Sequence, residues 1–163
     1  MTRLFGVLLA LCCCLPPTAV LADDASHQIV GTWKVVSLVT KFEGGDTVEF
    51  FGSNPKGRLV LTPDHYLTII LTRANRSQAK SPDEKAALLD SMLAYSGKYT
   101  IEGDRITTHV DMSWNEIYTG PLQNQTRFFS LDGDKLIIRT GQIPSALRPG
   151  QKAEGILTLE RER

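Results

Sequence analysis

From Ile29 onward, apolar residues recur at alternate positions in short runs broken by turn residues, the signature of antiparallel strands and not of βαβ units. The pattern predicts strands near 30–40, 57–62, 65–72, 94–102, 105–114, 122–131, 134–140 and 154–162, with a weaker one around 47–51. Thr62-Pro63-Asp64, Glu102-Gly103-Asp104 and Asp132-Gly133-Asp134 supply tight polar turns in which Gly or Asp accepts positive φ. Sequence neighbours are therefore expected to pair as a meander. Closing a meander of about eight strands removes both edges and leaves an interior that side chains fill or that holds one small ligand. Gly31-Thr32-Trp33 heads the first run, where a glycine lets backbone pass close to a buried tryptophan. That tryptophan is expected at the floor of the barrel.

One helix interrupts the strands. Ser81-Pro82-Asp83-Glu84 offers a cap, a proline at the first helical position and an acid completing a capping box. Ala86, Leu89, Met92 and Leu93 fall on one face at helical spacing, so the helix is predicted to end near Leu93 and to plug one barrel end, or to cover a cavity mouth as a lid. The stretches 41–56 and 141–153, with Phe42, Phe50 and Phe51 in the first and Pro144, Pro149 and Gly150 in the second, read as ordered loops at the barrel rim.

The first 22 residues stand apart from this pattern. Arg3 precedes an apolar run from Leu4 to Leu15, Pro16-Pro17 breaks it, and Val20-Leu21-Ala22 offers a small-residue cleavage site before Asp23. The run is shorter than the roughly 20 residues a spanning helix needs. It reads as a signal peptide, with residues 23–163 as one exported domain, periplasmic or secreted, without an integral membrane span. Leu9-Ala10-Leu11-Cys12 loosely resembles a lipidation site, which makes an anchored lipoprotein the rival. Cys12, Cys13 and Cys14 all lie in the leader, so the mature chain is expected to lack disulfides, cysteine nucleophiles and thiolate metal sites. Without Arg3 the chain carries 17 basic and 18 acidic residues, and no basic stripe invites nucleic acid or an anionic membrane surface.

Candidate chemistry is sparse. In the fifth strong run, Ile106, Thr108, Val110, Met112 and Trp114 alternate onto one face and Thr107, His109, Asp111 and Ser113 onto the other. The apolar set is expected to face inward, leaving His109 outside or under a loop. The alternative is a polar-lined cavity with His109 as a general base oriented by a carboxylate. In the preceding strand Tyr95, Gly97, Tyr99 and Ile101 share a face, where inward tyrosines would give an apolar wall with hydroxyl tips. Arg127, beside Phe128 and Phe129, either reaches a ligand anion or is solvated. No nucleophile elbow or phosphate-cradling loop occurs, and His65 and His109, 44 positions apart, fit no metal-ligand spacing. No cofactor or metal is expected.

Five ordered motifs carry a family resemblance: VGTWKVVS from Val30, NPKGRLVLTPD from Asn54, AYSGKYTIEGD from Ala94, THVDMSW from Thr108 and RFFSLDGDKLII from Arg127. Together they resemble bacterial and fungal lipocalin-like domain proteins, over Val30 to about Arg161. The resemblance implies an all-β fold, an antiparallel lipocalin-like β-barrel of about eight strands with one short α-helix. It also implies binding of a small, mainly apolar molecule, and a C-terminal basic residue, here Arg161, packed over Trp33 as the last strand closes on the first. Two departures stand out: His65 occupies the position where the family usually has a glycine after the Thr-Pro-Asp turn, and Thr108-His109 replaces a paired histidine. The ligand-contact candidates are Tyr95, Tyr99, Trp114, Met112, Arg127 and Tyr66. The expected function is binding of a small hydrophobic or amphipathic molecule. The alternatives are an isomerase, cyclase or hydrolase using His109, and a structural or protein-binding barrel with a filled core. Fold alone does not choose among them, and the oligomeric state is left open.

Overall fold

A computed structural model describes residues 27–145 and 147–163. The expected leader, its cysteines and the cleavage site after Ala22 lie outside the described residues. Strands β1 (Gly31–Phe42), β2 (Thr47–Val48), β3 (Lys56–Leu61) and β4 (Tyr66–Thr72) are followed by helix α1 (Pro82–Asp90). Then come β5 (Met92–Glu102), β6 (Arg105–Ser113), a 3-10 turn at Glu116–Tyr118, β7 (Asn124–Asp132), β8 (Lys135–Arg139), β9 (Ile143–Pro144) and β10 (Lys152–Arg161). Eight of these strands pair antiparallel in the order β1-β3-β4-β5-β6-β7-β8-β10, and β10 returns to β1, so the barrel is closed. The two-residue strands β2 and β9 add to β1 and β10 at the rim. β9 rises inside the stretch expected to be a plain loop.

Alternation decides which side chains enter. Leu67, Ile69 and Leu71 of β4, Leu136 and Ile138 of β8, and Leu157 and Leu159 of β10 are buried at every second position, as the period of two requires. Two bulges break the alternation. In β1, Val35 pairs with Leu159 and Ser37 with Thr158, so Val36 is extra and lies exposed. In β6, Val110 pairs with Gly97 and Met112 with Ser96, leaving Asp111 unopposed. A bulge shifts the parity of everything beyond it. Gly97 permits the second one: a Cβ there would lie 2.0 Å from the carbonyl oxygen of His109.

One end of the barrel is sealed. Trp33 is fully buried, its Nε1 donates to the Ile29 carbonyl at 2.8 Å, and Leu59, Leu61, Leu136 and Leu159 complete the layer around it. His65 takes the glycine-like conformation of its turn with φ 65°, so the left-handed geometry is kept without glycine. Histidine tolerates that region better than bulkier or β-branched residues do.

The helix departs from expectation. The capping box forms, with Ser81 Oγ accepting from Glu84 N–H at 3.2 Å and Glu84 accepting from Ser81 N–H at 3.1 Å. α1 nevertheless stops at Asp90, because Met92 and Leu93 pair with Thr72 and Leu71 as the start of β5. It buries no residue, and Leu89 is 50% exposed. The helix therefore neither plugs the barrel nor lines its interior. Among the described residues no helix is long and apolar enough to cross a membrane.

Candidate functional site

Beyond the Trp33 layer the barrel holds a cavity of about 320 Å³. Leu59, Leu67, Ile69, Leu71, Ile106, Ile138 and Leu157 form its apolar walls, and Leu38, Leu93, Ala153 and Gly155 continue them toward the rim. Leu38 and Thr40 reach the interior because the β1 bulge moves the inward positions from odd to even numbers. Tyr118, on the 3-10 turn, and the segment Ile143, Pro144, Ser145 and Leu147 form the mouth. Ile143 and Leu147 remain about half exposed there. The volume lies at the lower end of the roughly 300–1,000 Å³ typical of small-molecule sites, and the composition follows the usual form of apolar walls with few polar groups.

The polar groups on this wall are Thr40, Thr108, Thr140, Ser145, Tyr95, Tyr118 and Arg127. The lining contains no Asp, Glu, Lys or His, so Arg127 is its single charge. Arg127 sits on the inward face of β7 with Gln125 and Phe129. Its Nη1 donates to the Thr126 carbonyl at 2.8 Å and its Nη2 to Gln125 Oε1. The buried Gln125 in turn donates from Nε2 to the Leu122 carbonyl, fixing the guanidinium to the loop that carries Tyr118. Tyr95 stacks on Tyr118 with ring centres 5.9 Å apart and planes 13° apart. Burial pushes the Tyr95 phenol above its ordinary value, while the nearby Arg127 charge pulls the other way.

Of the residues singled out from sequence, Tyr95 and Arg127 meet in this cavity. Tyr99 is inward but belongs to the sealed end. Its hydroxyl donates to the Thr62 carbonyl at 3.1 Å, its ring meets His65 edge-on at 5.4 Å, and burial raises its phenol as well. Trp114 does not line the cavity; it packs behind Tyr118 with ring centres 4.9 Å apart. Met112 is 65% exposed, against the expected inward position, because the bulge at Asp111 turns it out. Tyr66 is also outside, 38% exposed on the outward parity of β4, with Lys98 Nζ 5.5 Å from its ring centre. His109 stands exposed on the outer face of β6, its Nδ1 3.0 Å from Asn124 Oδ1. Among the described residues no cluster of three or more metal-ligating side chains occurs.

Sequence reasoning missed Tyr118, Thr40 and Thr140, and it placed the stretch 141–153 at the rim without naming Ile143, Pro144, Ser145 or Leu147 as cavity residues. Thr140 continues the inward alternation of Leu136 and Ile138, a signal that was available. Tyr118 follows no strand period and comes inward only because the 3-10 turn folds it back over Tyr95. A family model described as a lipocalin-like domain matches residues 30–162. No curated protein matches the chain.

Proposed function

The chain belongs to the lipocalin-like domain family, and from that premise we propose that it is an exported binding protein that holds one small hydrophobic or amphipathic molecule inside its barrel. The observation that carries this reading is the cavity: about 320 Å³ of space remains between apolar walls that side chains do not fill. Burying apolar ligand surface there contributes on the order of 25 cal/mol per Å². A barrel serving only as a structural or interaction module has no use for that space. The isomerase, cyclase or hydrolase alternative requires a base at the cavity, and His109 faces away from it.

The test is titration of the purified protein with an uncharged apolar fluorescent dye, beside Leu38→Trp, which sets an indole into the cavity. Saturable binding at one site by the wild type, and its loss in a variant that keeps its circular dichroism, supports the proposal. Dye binding that is equal in both proteins places the dye elsewhere and overturns it.

A further inference from the structure

Arg127 is a cation inside an apolar cavity with no carboxylate partner among the described residues, and the cavity lining supplies no acid to face it. Removing a charge from water without a counter-charge is costly, and a buried cation is normally paired. Burial of the Arg127 side chain is partial. The side chain is nevertheless held in place. Two of its five N–H groups are committed, one to the Thr126 carbonyl and one to Gln125, leaving three for something else. Beside it Tyr95 and Tyr118 line the same cavity, and among the described residues neither phenol hydroxyl has a hydrogen-bond partner; Thr140, just past the end of β8, also lines it, but its hydroxyl already donates to the Gly141 carbonyl and accepts from Gly155 N–H. The guanidinium and the two phenol hydroxyls are thus the groups here that can still donate.

Resting on the binding role proposed above, we infer that the occupant is a monoanionic amphiphile whose carboxylate is received by Arg127 and the Tyr95 and Tyr118 hydroxyls. Its apolar chain lies toward Leu71 and Leu157. The guanidinium fork matches a planar carboxylate in two parallel N–H···O bonds, and one negative charge balances the one positive charge the cavity presents. Gln125 is a positioning residue: it orients the fork without facing the ligand itself. A neutral amphiphile of the same length would leave the cation unpaired, and a cationic one would be repelled.

The experiment measures displacement of the uncharged apolar dye by octanoate, octanol and octyl sulfate from the wild-type protein and from Arg127→Met. Octanoate is expected to bind the wild type about tenfold or more tightly than octanol, the scale of a hydrogen bond to a charged group. Acidifying below the carboxyl group's own pKa should abolish the advantage. In Arg127→Met octanoate should fall to the level of octanol, with octanol itself changed little. The wild-type comparison and its pH dependence need no variant, so they decide the matter even where Arg127→Met fails to fold. Equal binding of octanoate and octanol overturns the anion assignment while leaving the binding role intact. A clear preference for octyl sulfate overturns the carboxylate in favour of a tetrahedral oxyanion. Failure of all three to displace the dye overturns the assignment together with the role on which it rests.

Discussion

The guanidinium carbon of Arg161 lies 4.1 Å from the centre of the Trp33 indole, and the same two residues are register partners across the seam where β10 closes on β1. Arg161 Nη1 also donates to the Val30 carbonyl at 2.9 Å and Nη2 to that of Gln28. One side chain thus covers the tryptophan and ties down the segment leading into β1. Gly31 leaves room for it: φ is 139°, and a Cβ there would come within 2.8 Å of Arg161 Nη1.

Arg161→Ala should therefore destabilise the barrel by about 2 kcal/mol, the scale of a desolvated cation over an indole. Arg163→Ala removes only an ion pair to Asp134 from a side chain that is 84% exposed and should change stability by less than about 0.5 kcal/mol. Denaturant midpoints of the two variants check this; equal midpoints would remove the contact from the account of closure.

Gly97→Ala should cost about 1–3 kcal/mol, because the new methyl meets the His109 carbonyl oxygen at the β6 bulge and backbone must move to admit it. Gly133→Ala, at a turn where a Cβ meets nothing within 4 Å, suffers only the strain of its φ of 57°. Thermal unfolding of both variants compares close approach with backbone conformation. A smaller loss in Gly97→Ala would show that the bulge yields easily.

For binding of an uncharged apolar dye, Tyr95→Ala should weaken affinity several-fold, since it removes cavity wall and the support of Tyr118. Met112→Ala and His109→Ala should leave affinity within about twofold, their side chains being outside the barrel. Dye titrations on variants with wild-type circular dichroism give the ranking. Loss of affinity in His109→Ala would return that residue to the site.

Burial raises the phenols of Tyr95 and Tyr99. For an acid whose folded pKa lies above its unfolded value, the linked stability is present below the unfolded pKa and disappears as pH rises through the folded one. Alkaline titration of the phenolate absorbance should show late-ionising phenols, with Tyr95→Phe and Tyr99→Phe each removing one. Stability of the wild type should decline across the same alkaline range. An unchanged titration in Tyr95→Phe would contradict the burial of its hydroxyl end.

The proposed export requires the mature protein to begin near Asp23 and to contain no thiol, because all three cysteines precede that point. Intact mass and thiol titration of protein recovered from outside the cytoplasm check this. A lipid-sized increment with Cys12 at the N-terminus would instead identify an anchored lipoprotein.

What the sequence determined by itself was the closed antiparallel barrel, its strand order and its sealed end. Alternation is a local property, turn residues announce where it breaks, and sequence neighbours pair, so the inward places of Trp33 and Leu159 were legible from the chain alone, while the place of Arg161 over Trp33 was implied by the family resemblance. The capping box at Ser81 was legible for the same reason. The end of α1 was not: Met92 and Leu93 suit a helical face, and only pairing with β4 draws them into β5. The cavity was legible where parity runs unbroken, as at Tyr95, and obscured where it does not. One unopposed residue, Asp111, reverses the side on which Met112 lies, and the extra Val36 brings Leu38 and Thr40 inward. Bulges depend on backbone packing between strands, Gly97 against the His109 carbonyl in this case, and leave no periodic trace in a single strand. Tyr118 and the position of Arg127 as the cavity's single charge belong to the same class. They follow from how a turn folds over the barrel mouth and from which wall each strand presents, relations that exist only once the sheet has closed.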